Sequence, residues 1–90
     1  MPADVDFNQV RNDLLAIPNV AEVGDLHIWQ TSSDQKLLSA HLKSAEDSPN
    51  YERIIRTVQE MLMHKYGINH TTIQILPSSA GEMQHCNHCN

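Results

Sequence analysis

The chain is poor in basic residues and lacks any long apolar run. Six Lys and Arg residues stand against eleven Asp and Glu residues, which gives a formal net charge of −5. Nucleic acids and anionic membrane surfaces attract basic stripes, so we expect no nucleic-acid partner. A transmembrane helix needs about 20 consecutive apolar residues. Since every apolar run is only a few residues long, direct membrane insertion is not expected.

Glycine is also scarce, and enzyme motifs are missing. The three glycines are scattered and form no phosphate-binding loop. There is neither a His-Glu-x-x-His motif nor a pair of carboxylates beside an open metal position, so we do not expect an enzyme. The N-terminus is acidic and lacks the basic-then-apolar pattern of a signal peptide. These features predict a single cytoplasmic domain.

The only two cysteines lie close together near the C-terminus, within the segment HCNHC at 85–89. In a reducing compartment such a pair favours metal binding or redox chemistry over a framework disulfide. Thioredoxin-like chemistry places the first Cys at a helix N-terminus. Only Asn90 follows Cys89, so we do not expect that chemistry here. Thiolate and imidazole ligands suit Zn²⁺. We therefore predict a flexible metal-binding tail at 78–90, after a domain at 1–77, with the ligands His85, Cys86, His88 and Cys89.

Apolar residues at helical spacing predict two helices. The first covers 7–17 with Asp6 as its N-cap. The second starts at Pro49, a residue favoured at the first helical position, and Gly67 caps its end.

Alternating polar and apolar residues predict strands at 20–31 and 36–43, and a β-branched run predicts a third strand at 71–76. The order is therefore α-β-β-α-β. Each helix has a single apolar stripe to bury, so both helices must cover the same face of the sheet. The result is an α+β sandwich with one uncovered sheet face.

The register of the predicted hairpin decides which side chains meet on the uncovered face. Pairing Leu26 with Leu42 directs the apolar residues of both strands toward the helices. His27 then stands opposite His41, with Cβ atoms about 5 Å apart. Trp29 lies on the same face, and a large aromatic side chain on a polar face favours an interface between two copies of the chain.

Three segments together resemble a known family: DLHIW at 25–29, LSAHL at 38–42 and HTTIQI at 70–75. They are similar to the cytoplasmic C-terminal domain of cation diffusion facilitators, which are zinc and manganese efflux transporters. The resemblance covers about residues 6–77. It implies a metallochaperone-like, ferredoxin-like αββαβ fold and a V-shaped homodimer below a membrane domain. It also implies that metal binding at the dimer interface brings the two arms together and stimulates export.

The resemblance also implies metal ligands. His41 matches the second-strand ligand of the family, and His70 matches the His that heads the third strand. The sequence departs from the family at two positions: Gly24 replaces a ligating His, and Leu76 replaces an acidic residue. His27 and the tail are the candidates to replace those ligands.

Two other residues have simpler interpretations. His64 lies at the end of the second helix, where a cation favours the helix dipole, so we interpret it as structural. Asp25 is a carboxylate on the uncovered face and a weaker candidate ligand.

These observations leave three functional hypotheses. The first is a cytosolic regulatory homodimer of a cation efflux system that binds Zn²⁺, or another divalent transition metal, through His41 with His70 or His27 and through the tail. A membrane cation transporter is its expected partner. The second is a stand-alone metallochaperone or metal buffer that acts through the tail. The third is a dimerisation module whose metal sites are degenerate, as the departures at Gly24 and Leu76 suggest.

Overall fold

A three-stranded sheet with two helices packed on one face makes up the fold, in a computed structural model that describes residues 2–80. The elements in chain order are α1 (Phe7–Leu15), β1 (Val20–Gln30), β2 (Lys36–Ser44), α2 (Tyr51–Tyr66) and β3 (His70–Leu76). The sheet order is β1-β2-β3, with β1 antiparallel and β3 parallel to the central strand β2. The α+β fold predicted from the sequence is confirmed.

Helix α1 starts where the sequence predicts and ends two residues earlier. The Asp6 carboxylate accepts the backbone N–H of Gln9 at 3.2 Å, as an N-cap does. At the other end, the N–H of Ile17 donates to the carbonyl of Leu14 at 3.2 Å. This tighter i→i−3 bond replaces the α-helical bond and turns the chain toward β1.

Helix α2 begins at Tyr51, so the prediction that Pro49 is its first residue is wrong. Asn50 is the N-cap, and its side-chain oxygen accepts the N–H of Arg53 at 3.1 Å. That bond satisfies one of the unpaired N–H groups of the first turn. The C-terminus follows the prediction, because Gly67 adopts the left-handed conformation (φ 69°) that ends the helix.

The core lies between the helices and the covered face of the sheet. Alternate residues of the central strand point into it, and Leu38, Ala40 and Leu42 are no more than 1 % exposed. Burial of apolar surface of this kind is the main force holding the layers together. The other buried apolar residues are Val5, Val10, Leu14, Ile17, Leu26, Ile28, Ile54, Val58, Leu62 and Ile68.

The register of the hairpin differs from the prediction. His27 pairs with Ser39, and His41 pairs with Gly24. The predicted juxtaposition of His27 and His41 is therefore wrong, although the apolar residues of both strands do face the helices.

A β-bulge causes this difference. The register shifts between Gly24 and His27, so Asp25 and Leu26 together oppose the single residue Ala40. Asp25 is the extra residue, and its backbone is left-handed with a φ of 47°. A bulge of this kind bends the strand and redirects side chains.

Candidate functional site

The uncovered face of the sheet presents its side chains in four rows across the three strands. Strand alternation places on this face the odd-numbered residues of β2, which are the ones that do not enter the core. Reading each row across β1, β2 and β3, the rows are Glu22–Lys43–Leu76, Gly24–His41–Gln74, His27–Ser39–Thr72 and Trp29–Leu37–His70.

Asp25 and His41 are the two predicted candidates that the structure brings into contact. Oδ2 of Asp25 lies 3.1 Å from Nδ1 of His41. The distance is that of an ion pair, although the angle is not that of an aligned hydrogen bond. The Asp25 side chain is 5 % exposed and that of His41 is 37 % exposed, so a buried carboxylate faces a ring that solvent still reaches.

The bulge explains why the carboxylate lies there. A residue with φ near 47° must tolerate the left-handed region, and Asp does so better than most residues. The neighbouring Gly24 stands directly across from His41 and has no side chain to compete for the space. On the other side, Gln74 of β3 pairs with His41 and adds an amide oxygen to the same row. The alternation of polar and apolar residues in β3 indicates that Gln74 lies on the uncovered face, but the sequence prediction did not use it.

His70 lies at the opposite end of the face from His41. It pairs with Leu37, which is four residues from His41 along β2, or about 13 Å at the rise of a strand. The two histidines therefore cannot bind one ion within a single chain. A site that includes both would require donors from two chains.

His27 occupies the row between them, with Ser39 and Thr72. Its Nε2 is buried and has no hydrogen-bond partner among residues 2–80. That nitrogen is not open to an ion from solvent in this arrangement. A structural interpretation of His27 fits this burial better than ligation through Nε2.

Few metal donors converge within the described part of the chain. No group of three or more His, Cys, Asp or Glu residues that could hold a metal ion occurs within residues 2–80. The donors predicted in the tail, His85, Cys86, His88 and Cys89, lie outside the described residues.

The position at which the chain leaves the sheet bears on the tail. Strand β3 ends at Leu76, which pairs with Lys43, and the N–H of Ser78 donates to the carbonyl of Glu46 at 3.1 Å. The chain thus leaves the sheet at the end near His41, which is two residues from Lys43 along β2. His70 lies at the other end of β3.

The opposite end of the uncovered face is apolar. Trp29 is 42 % exposed and shares a row with the half-buried Leu37. This is the surface on which the sequence predicts an interface between two copies.

A second polar cluster ties the two helices together on the other side of the molecule. The Tyr66 hydroxyl donates to the Asp13 carboxylate, which also lies 2.9 Å from Nζ of Lys65. Burial, and then the hydrogen bond to Asp13, raises the pKa of Tyr66 to about 12. The hydrogen bond from Tyr66, and then that from Lys65, lowers the pKa of Asp13. A tyrosine in an apolar helix stripe needs a partner for its hydroxyl, and this was the available signal for a cluster that the sequence prediction missed.

No helix within residues 2–80 has the length and apolar character needed to cross a membrane.

Known proteins are similar to this chain in sequence and in fold. Residues 2–78 match the family described as the cytoplasmic domain of cation efflux proteins. The chain belongs to this family, which confirms the resemblance seen in the sequence and the predicted cytoplasmic location.

Several relatives are named as zinc transporters. A probable zinc transporter protein of Dictyostelium discoideum is 40 % identical over 75 residues, which are 83 % of this chain and 14 % of that protein. The mouse proton-coupled zinc antiporter SLC30A1 is 32 % identical over 81 residues, which are 90 % of this chain and 16 % of that protein. The chain therefore spans only a small part of the length of the relatives it matches.

Two solved domains have the same fold. The metal-bound C-terminal domain of the CzcD transporter from Cupriavidus metallidurans superposes with a TM-score of 0.73 at 32 % identity, covering 79 % of this chain and 97 % of that domain. The corresponding domain from Thermotoga maritima has a TM-score of 0.67 at 13 % identity and covers 83 % of this chain and 91 % of that domain. At that identity the second similarity concerns the fold alone.

Proposed function

We propose that this chain is a metal-responsive regulatory domain of a cation efflux system. In this proposal His41 is the central ligand for a divalent transition metal, with zinc the first candidate. The observation that carries the proposal is the contact between Asp25 and His41 on the uncovered sheet face, with 3.1 Å between Oδ2 and Nδ1. Zinc accepts imidazole as a ligand, and a carboxylate beside a ligating imidazole either binds the ion as well or orients the ring. The similarity to a CzcD domain described as metal-bound supports the same conclusion.

One chain supplies too few donors here for a closed site. Structural zinc is almost always held by four ligands, whereas Asp25 and His41 provide two at most, with the Gln74 amide beside them. The remaining donors therefore come from the tail of the same chain or from a second copy.

The tail is long enough to contribute. Ala80 lies near the exit from the sheet, and Cys86 follows six residues later, which corresponds to a reach of about 20 Å for extended chain. His41 lies two residues along β2 from Lys43, which pairs with the last residue of β3, or about 7 Å at the rise of a strand. Cys86 and Cys89 are thus within reach of His41.

Regulation would follow from linkage. Two copies that pack through the uncovered face, with Trp29 and Leu37 as the apolar contacts, bring two His41 sites into one assembly. If ligands from both copies, or a tail folded back onto the sheet, complete the site only in a closed arrangement, then metal binds that arrangement more tightly and shifts the population toward it. The domain itself performs no catalysis in this proposal, and its output is the state of a membrane cation transporter.

The density of donors in the tail favours a second candidate function. Four donors in five positions, at 85–89, suit a metallochaperone or buffer that passes ions on by ligand exchange. In that case the folded domain only positions the tail, and removal of 81–90 abolishes all zinc binding. A regulatory domain centred on His41 retains part of the binding after the same truncation.

Calorimetric titration with Zn²⁺ under anaerobic conditions tests the proposal. The full chain is compared with His41→Ala and with the double variant Cys86→Ser/Cys89→Ser. His64→Ala is the matched control, because His64 is an exposed histidine on α2, away from the uncovered sheet face. We expect His41→Ala to weaken or abolish binding and His64→Ala to leave it unchanged.

Sedimentation of the same samples with and without zinc reports the oligomeric state. The regulatory proposal requires a dimer whose sedimentation coefficient rises with zinc. It fails if His41→Ala binds zinc as the unmodified chain does, or if the chain stays monomeric in both conditions.

A further inference from the structure

We infer that Asp25 is a positioning residue for His41, which holds the ring proton on Nδ1 and so presents Nε2 as the nitrogen free to bind metal. The purpose of this arrangement rests on the proposed metal function. The tautomer itself is a property of the metal-free protein and is tested there.

The contact between the two side chains supports this tautomer. An ionised carboxylate only accepts hydrogen bonds, and Oδ2 of Asp25 lies 3.1 Å from Nδ1 of His41. A lone pair on Nδ1 would lie close to this negative oxygen and be repelled by it, whereas a proton on Nδ1 is attracted even without the alignment of a hydrogen bond. The carboxylate is 5 % exposed, so little water screens the interaction. The neutral ring therefore carries its proton on Nδ1 and its lone pair on Nε2.

The backbone provides a second argument. An extra residue in the left-handed region interrupts the pairing of β1 with β2 between Gly24 and His27. Without the bulge, strand alternation would place residue 25 on the side opposite to Gly24, toward the helices. The bulge instead brings the carboxylate against His41. Bulges are often found where a strand must redirect one side chain for a functional site.

Asp25 and His41 would have different functions in metal binding. A histidine ligand nearly always has its second ring nitrogen bonded to a carboxylate, a carbonyl or water, and this partner fixes the ring orientation and raises the basicity of the ligand. Asp25 is buried beside His41 and suits that role, so it acts through His41 and does not itself bind the ion. Direct ligation by Asp25, together with Nδ1 of His41, is the opposing arrangement and predicts the opposite tautomer.

Nitrogen NMR of the histidine rings in the metal-free full chain, at mildly alkaline pH, measures the tautomer directly. The signal of His41 is identified by its loss in His41→Ala. In the unmodified chain we expect the proton on Nδ1. In Asp25→Gly we expect the signal to move toward the Nε2–H form. Glycine adopts a φ of 47° without strain, so this variant removes the carboxylate and keeps the bulge.

Two further variants make the test specific. Asp34→Gly is the matched control, because Asp34 also has a left-handed backbone, with φ 65°, and its carboxylate contacts Gln30 in the hairpin loop. It should leave the His41 tautomer unchanged. Asp25→Asn retains an oxygen acceptor and tolerates the same backbone, so it should preserve part of the Nδ1–H population.

Zinc titration of the same variants completes the experiment. Loss of such a partner typically weakens metal binding about 10- to 100-fold, so we expect Asp25→Gly to fall in that range and Asp25→Asn to lose less. In the zinc-loaded chain the metal-bound nitrogen should be Nε2.

The inference is overturned if His41 of the unmodified chain carries its proton on Nε2, or if Asp25→Gly leaves the tautomer unchanged. It is also overturned if the NMR signals of the zinc-loaded chain show that Nδ1 of His41 is the metal-bound nitrogen. A chain that shows the expected tautomer but binds no zinc contradicts the proposed function and leaves the role of Asp25 in orienting His41 intact.

Discussion

The hydrogen bond between Tyr66 and Asp13 allows a sharp test of what holds the helices together. Tyr66→Phe removes the hydroxyl alone and keeps the ring in place. A hydrogen bond to a charged group contributes about 1.5–3 kcal/mol, and the Asp13 side chain is 22 % exposed, so water screens part of this. We expect the free energy of unfolding to fall by about 1.5 kcal/mol at pH 7, which lowers the melting temperature of a domain this size by about 6–12 °C.

The pH dependence of this loss follows from the two pKa shifts. The folded pKa of Asp13 is below its usual value of 3.8, so its stabilisation is complete above that pH and disappears as the pH falls through the folded pKa. The folded pKa of Tyr66 is about 12, above its usual value of 10.0. Its stabilisation is complete below pH 10 and is lost as the pH rises toward 12. The difference between the unmodified chain and Tyr66→Phe should therefore be constant between these limits and shrink outside them.

Urea unfolding followed by circular dichroism, repeated across this pH range, measures that difference. Tyr51→Phe is the control, because Tyr51 is 41 % exposed and its hydroxyl has no hydrogen bond among residues 2–80. If Tyr66→Phe costs no more than Tyr51→Phe at neutral pH, the hydrogen bond does not stabilise the contact between α1 and α2. A loss that stays the same at every pH would show that the hydroxyl stabilises the fold independently of the charge on Asp13, which contradicts the ion-assisted hydrogen bond.

Three further predictions concern the core, the helix end and the uncovered face. Leu42→Ala, at a fully buried position in the central strand, should lower the free energy of unfolding by about 2–5 kcal/mol in urea melts; a smaller cost would mean that the core collapses around the cavity. Gly67→Ala should cost about 1 kcal/mol by thermal melting, because φ is 69° and an added Cβ meets nothing within 4 Å, so the strain is in the backbone alone; Gly67→Asn should cost less. Trp29→Arg should weaken self-association in sedimentation experiments with little change in the circular dichroism spectrum, since Trp29 is 42 % exposed; unchanged association would place the interface elsewhere.

The layers of the fold were predictable because every element buries only one side. Alternation in β2 directs Leu38 and Leu42 to the core, and the structure buries both almost completely. The helical periodicity also placed α1 and α2 correctly to within two residues at each end. A pattern of this kind depends on one face being apolar, and it is insensitive to details of pairing.

The register was not predictable from the same pattern. The bulge at Asp25 shifts the pairing without moving any apolar side chain out of the core, so both registers satisfy the pattern equally well. A left-handed residue is a local feature of the backbone, and Asp occurs in turns, caps and ordinary strands as well. The position of His27 relative to His41 followed from the register and was therefore wrong.

The candidate site was predicted in part. His41 was identified through its family motif, and the structure places Asp25 against it. The separation of His41 from His70 depends on the register in which β3 pairs with β2. The helical crossover suits a parallel pairing, but the sequence pattern does not specify that register. The ligand role of these residues, and that of the tail, stays a prediction.

The parallel placement of β3 also has a kinetic consequence. The hairpin of β1 and β2 closes over the short segment 31–35, whereas β3 pairs with β2 only after the chain has passed through all of α2. Contacts between distant parts of a chain form later in folding, because closing the longer loop costs more entropy. Strands β1 and β3 both lie at a sheet edge with one neighbour, but β3 pairs with β2 in parallel and is not joined to it by a tight turn, so local opening should release β3 first. Such opening would carry Gln74 and the root of the tail away from His41 while leaving Asp25 and His41 in contact on the intact hairpin. Residues 70–76 should accordingly exchange their amide hydrogens before those of the hairpin.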